Sequence, residues 1–190
     1  MDSPSFLVLH GIENEQPPEH WHHWLTSALR GRGLEVRYPA LPDPFEPRLE
    51  RWREAALAAL AELSGERVVV CHSLACLLWL RIAADARDGE IVDRLLLVSP
   101  PEDDELPAAG HEFKLAGLDV QRVADGVRSA PRVVRGTEDP YSPTGPPAWI
   151  TAVGAELDEL PGVGHITPDD GHGPWPAVEE WCLDPSVRIS

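Results

Sequence analysis

Apolar and polar positions along the chain fall into two alternating rhythms. Short strand-like runs occur at 6–10 ("FLVLH"), 34–39 ("LEVRYP"), 67–72 ("RVVVCH"), 94–100 ("RLLLVSP"), 132–136 ("RVVRG") and 155–162 ("AELDELPG"), several of them nearly continuous in Val and Leu. Each is bounded by glycine, proline or polar residues and reads as a strand. Between them the spacing changes to that of helices. Trp21, Trp24, Leu25 and Leu29 mark a first helix that ends at Gly31 and Gly33, and "RLERWREAALAALAELSG" is a run of helix formers that stops at Gly65. A third helix runs from about Leu74 to Arg87, and "PWPAVEEWCL" closes the chain as a short helix with Pro174 and Pro176 at its entrance. Six strands interleaved with helices predict an α/β domain with a mostly parallel sheet and helices on both faces. The unbroken Val and Leu runs agree, because parallel strands are covered on both sides.

Ligands in such sheets sit beyond the carboxyl ends of the strands. The residues there are His10 and Gly11, His72 and Ser73, Ser99, Thr137 to Asp139, and Gly164 with His165. A serine, an aspartate and a histidine thus follow three different strands, in the chain order of α/β-hydrolases. A serine hydroxyl becomes a competent nucleophile when an imidazole takes its proton and a carboxylate fixes the imidazole's tautomer. Ser73 has two readings: N-cap of the helix starting at Leu74, a role serine favours, or nucleophile on a strained strand-to-helix turn. The second places small residues two before and two after it; Cys71 and Ala75 stand there, where G-x-S-x-G has glycines. The helix that follows is apolar nearly all round and belongs in the interior, as the helix after such a turn does. Asp139 competes with Asp103, Asp104 and Asp119, and is preferred for its place just past the fifth strand. His165 competes with His172 and lies closer to the last strand. The backbone N–H groups of Leu74 and Ile12 are the expected oxyanion donors, with Gly11 or Glu13 as alternatives to Ile12. Trp21 and Trp175 flank the proposed site loops and are expected to line an acyl pocket.

Composition and charge then remove function classes. The 190 residues, 43% hydrophobic and 25% charged, suit one globular domain spanning 1–190. A formal charge of −16, from 32 acids against 16 bases, repels phosphate backbones and anionic lipid, so neither nucleic acid nor membrane is an expected partner. The opening "MDSPSFLVLHG" does not read as a leader, and no apolar run has the length of a membrane span. Three cysteines, Cys71, Cys76 and Cys182, are an odd number, two of them within apolar segments, which fits a reducing cytoplasm. Cys71 lies close enough to Ser73 to be a modest oxidation liability. His20, His22 and His23 do not all point one way on a helix, and no metal site is expected from them. No phosphate-cradling or dinucleotide motif is present, so no cofactor is expected.

Several stretches together resemble a known family, the small serine hydrolases of the α/β-hydrolase fold typified by retinoblastoma-binding protein 9 and its bacterial relatives. "LHGIENEQPPEHWHHWL" is similar to that family's opening loop and HW-containing helix, and "LPDPFEPRLERW" to its proline-rich link. "CHSLAC" resembles its H-S-x-G/A turn, "GTEDPYSP" its acid loop and "GVGHITPDDGHGPWP" its histidine loop. The resemblance implies Ser73 as nucleophile, Asp139 as acid and His165 as base, in a compact core without a large cap domain. The expected activity is hydrolysis of a small carboxylic ester, or a related acyl substrate, through an acyl-serine. The alternative is a catalytically silent protein of the same fold that binds a ligand or partner. A protein partner is not implied: the L-x-C-x-E pocket-protein motif is incomplete, "LACLL" lacking the glutamate.

Overall fold

Side chains alternate across a strand, so each unbroken apolar run serves two cores at once. In a computed structural model, which describes residues 3–87 and 90–190, the first strand β1 (Pro4–Leu9) sends Phe6 and Val8 to one face and Leu7 and Leu9 to the other. The remaining strands are β2 (Glu35–Arg37), β3 (Glu66–His72), β4 (Arg94–Val98), β5 (Arg132–Gly136) and β6 (Glu156–Leu160). They form a single sheet in the order β2-β1-β3-β4-β5-β6, and every pairing is parallel.

The helices are α1 (Trp21–Gly31), α2 (Leu49–Ala61), α3 (Leu74–Ala84), α4 (Ala148–Ala152) and α5 (Pro176–Leu183). Buried residues of α1 and α5 pack with Phe6, Val8, Val68 and Val70 on one face; those of α2 and α3 pack with Leu7, Leu9, Val69 and Cys71 on the other. The i, i+4 spacing of Trp52, Ala56 and Leu60 gives α2 a one-sided buried stripe. In α3 every residue except Arg81 is buried, so this helix lies inside the molecule. At roughly 1.5–3 kcal/mol per large apolar side chain, its leucines and Trp79 anchor the sheet's centre.

The elements differ from the sequence expectation mainly at their ends. β2 stops at Arg37, where the proline-rich loop takes over, and α3 stops at Ala84, where the Asp85 and Ala86 amides close its last turn. The five-residue α4 and the 3-10 turns at Asp103–Glu105, Ala108–Phe113, Val120–Gly126 and Pro168–Asp170 are too short to imprint a period on the sequence. Three of those turns fill the β4–β5 connection in place of a cap domain. No helix among the described residues is long and apolar enough to cross a membrane.

The chain winds outward from β1 to β2, then returns to β3 and proceeds the other way. The loops after β1 and β3 therefore diverge, and a cleft opens between them at the carboxyl edge.

Candidate active site

β3 enters α3 through Ser73, whose backbone has φ 55° and ψ −126°, a conformation costly for a residue with a side chain. The serine does not cap α3: its side chain makes no bond to the helix's first amides. Its Oγ instead lies 2.8 Å from Nε2 of His165. Gly11, just past β1, makes the turn possible. A Cβ there would sit 2.7 Å from Ser73 Cβ and 3.1 Å from Oγ. Cys71 and Ala75 need not be glycine, because the tight approach comes from the neighbouring strand.

His165 follows β6, and its Nδ1 lies 3.0 and 2.9 Å from the two carboxylate oxygens of Asp139. Asp139 follows β5 and is almost wholly buried. Its Oδ1 also accepts the Tyr141 amide at 2.9 Å, and the buried Arg135 of β5 donates to the Ser142 carbonyl at 2.7 Å, holding the acid loop down. The structure thus brings together the three residues expected from the sequence. Of their competitors, Asp104 lies exposed in the Asp103–Glu105 turn and the other three are engaged elsewhere. Asp103 accepts the Leu115 and Ala116 amides, Asp119 accepts the Gln121 amide, and His172 packs its ring on Trp175.

A cavity of about 630 Å³ opens over Ser73 and His165. Its apolar wall comes from Ile12, Leu74, Leu106, Pro107, Pro140 and Tyr141. Trp21 and Trp175, expected to line a pocket, do not reach it. They bury against each other edge-to-face at 5.4 Å, and Trp21 Nε1 donates to the Ile166 carbonyl at 3.0 Å. Trp21 thus supports the histidine loop from below, where Ile166 has φ 55°. Beyond Ile12 and Leu74, the sequence offered no signal for the actual wall: Leu106 and Pro107 lie between two 3-10 turns, and Pro140 and Tyr141 in the loop after β5.

Of the amides considered for the oxyanion, that of Glu13 donates to the Pro44 carbonyl at 2.8 Å and is unavailable. Ile12 and Leu74 both border the cavity. The cavity also carries Glu13, Glu15, Asp169 and Asp170, while its described lining includes no lysine or arginine.

Cys71 is fully buried, and burial pushes its thiol well above the usual range, so it packs instead of presenting the oxidation liability expected of it. Beneath the site lie more histidines than the mechanism of a triad uses. Burial holds His22 and His72 well below the ordinary imidazole value and lowers His20 to about 4. His23 is exposed and apart from them. His72 Nε2 donates to the His165 carbonyl at 2.9 Å.

A parallel sheet with a serine on the turn into its central buried helix, and a histidine and an acid after later strands, defines a protein of the α/β-hydrolase fold. More specifically, residues 6–183 match the model of the serine hydrolase family, and the chain belongs to that family. It is 27% identical over 174 residues, 90% of either chain, to the putative hydrolase YdeN of Bacillus subtilis. The crystal structure of the B. subtilis ydeN gene product superposes with a TM-score of 0.81 at 23% identity, covering 95% of this chain and 97% of that one. A putative YdeN-like hydrolase from Pectobacterium atrosepticum gives 0.72 at 20% identity over 98% and 93%.

Proposed function

We propose that this serine hydrolase cleaves small, neutral or cationic carboxylic esters through an acyl-serine on Ser73. The observation that carries the reading is the unbroken contact series from Ser73 Oγ through His165 to both oxygens of buried Asp139. Ser73 Oγ attacks the ester carbonyl while His165 Nε2 takes its proton. Asp139 holds the proton-bearing Nδ1 and stabilises the imidazolium that forms. The carbonyl oxygen, now negative, is received by the amides of Leu74 and Ile12. Collapse expels the alcohol, which takes its proton from His165; water then repeats the sequence in reverse and frees the acid.

The cavity supports the substrate class. Its size suits a small ligand, its wall is largely apolar, and its carboxylates oppose any second negative charge.

The experiment is labelling with a fluorophosphonate, alongside turnover of short acyl esters. Wild type should label once, at Ser73. Ser73→Ala should fold, stop labelling and lose about a thousandfold or more in kcat. His165→Ala should match it, and the double variant should be scarcely worse than either. Labelling that persists at another serine in Ser73→Ala would overturn the assignment; Ser99, fully buried, is the stringent control.

A further inference from the structure

His22 is fully buried, and neither of its ring nitrogens has a hydrogen-bond partner among the described residues. Leaving a buried donor or acceptor bare costs about 1–3 kcal/mol. Nearby His10 shows the ordinary arrangement: Nδ1 donates to the Gly11 carbonyl at 2.9 Å, and Nε2 accepts the Leu41 amide at 2.9 Å. His22 has instead two further buried imidazoles beside it. One ring nitrogen from each of His20, His22 and His72 lies within 4.8 Å of the others.

Burial keeps all three rings neutral at pH 7, so their lone pairs are free for an acid other than the proton. The bond from His72 Nε2 to the His165 carbonyl leaves His72 Nδ1 unprotonated. A backbone carbonyl on the far nitrogen is how metal-ligating histidines are commonly oriented. His20 and His72 also border the active-site cavity, which gives an ion a way in and leaves a fourth position facing solvent. Three imidazoles without a carboxylate suit zinc, cobalt, nickel or copper, and not magnesium or calcium.

We propose that His20, His22 and His72 form a binding site for a transition-metal dication, zinc above all, with its open position on the floor of the active-site cavity. Binding requires one ring to turn, because His20 and His22 now stack nearly parallel, 4.0 Å apart with 15° between planes. His20 is the ring that moves: it gives up a 3.4 Å capping contact from the His22 amide. The ion and its water then occupy cavity space beside Ser73, so zinc inhibits hydrolysis reversibly and takes no part in it. Only this inhibition rests on the proposed ester chemistry; metal binding does not.

Titrating the metal-free full chain with cobalt should give one equivalent with the visible absorption of a four-coordinate ion, displaced by zinc. X-ray absorption on the zinc-loaded wild type should show three imidazole nitrogens at about 2.0–2.1 Å. His22→Gln should weaken binding by roughly a hundredfold or more, beyond the loss of a merely supporting partner. That variant should keep metal-free ester turnover and lose inhibition by zinc, whereas His23→Gln should behave as wild type. Fewer than three imidazoles in the wild type overturns the site even if His22→Gln fails to fold, and so does unchanged affinity in a folded His22→Gln. Three-imidazole zinc in a protein that cleaves no ester supports the site and overturns the ester reading alone.

Discussion

Gly11 touches Ser73 so closely that a single methyl group has nowhere to go. In Gly11→Ala the new Cβ would meet Ser73 Cβ at 2.7 Å, so either the β1 loop or the strained turn must shift. A displacement on the order of 1 Å in a reacting group costs about a hundredfold in rate. We expect a folded protein with kcat/KM reduced by that order, read from ester turnover and slower fluorophosphonate labelling; wild-type kinetics would show that the turn does not depend on this approach. The sequence hid this requirement. The G-x-S-x-G pattern puts its small residues two positions either side of the serine, whereas the glycine that matters here lies just past an adjacent strand, brought alongside by parallel pairing of Leu9 with Cys71. The two readings of Ser73 were likewise inseparable by sequence. Serine suits a cap and a nucleophile equally, and only the direction of its Oγ, toward His165, divides them.

At the scale of elements, α1 does more than cover the sheet. Its Trp21 bears the histidine loop through the bond to the Ile166 carbonyl. Trp21→Phe keeps an aromatic but smaller ring and loses the donor, so kcat should fall several-fold while KM changes little; a change confined to thermal stability would reduce Trp21 to packing. The histidines carried by α1 and β3 also tie stability to pH. His20, His22 and His72 bind protons less readily folded than unfolded. Below an unfolded value of about 6.5 the unfolded chain takes up protons that the native protein refuses, and stability falls by up to about 1.4 kcal/mol per pH unit for each. The loss continues to about 4 for His20 and well below the unfolded range for the other two. Urea midpoints compared at pH 7.5 and 5.5 should therefore drop before most carboxylates titrate, and a flat response would contradict neutral burial. The central strands were legible because parallel pairing covers both their faces and demands unbroken apolar runs, while the edge strands β2 and β6 showed only as alternating patterns. The 3-10 turns and α4 were not, since elements of three to seven residues are too short to carry a clear period, and the loop residues of the cavity wall have no period at all.

The whole molecule carries a formal charge of −16, and the carboxylates at the cavity concentrate part of it where substrate enters. Among isosteric esters, kcat/KM should rank cationic above neutral above anionic, with an overall spread of roughly tenfold at low salt. Raising ionic strength shortens the screening distance from about 30 Å at 0.01 M to about 3 Å at 1 M, so the spread should collapse. A ranking that survives high salt would point to a specific contact instead of the general field. The parallel sheet and the edge that holds the site followed from the alternation of strands and helices, whereas the order β2-β1-β3-β4-β5-β6 did not; net charge was readable, but its concentration at one opening was not. The buried helix α3 has a further consequence. Its first residue adjoins Ser73, and its other residues except Arg81 lie in the core between sheet and surface turns. Ser73, the proposed nucleophile, is therefore mounted on the part of the protein whose amides should exchange with deuterium last, while the cavity's rim at Leu106 and Pro107, between two 3-10 turns, should exchange earlier. Entry can thus breathe without disturbing the reacting atoms, and on heating the serine's reactivity should disappear only with the final cooperative collapse of the sheet.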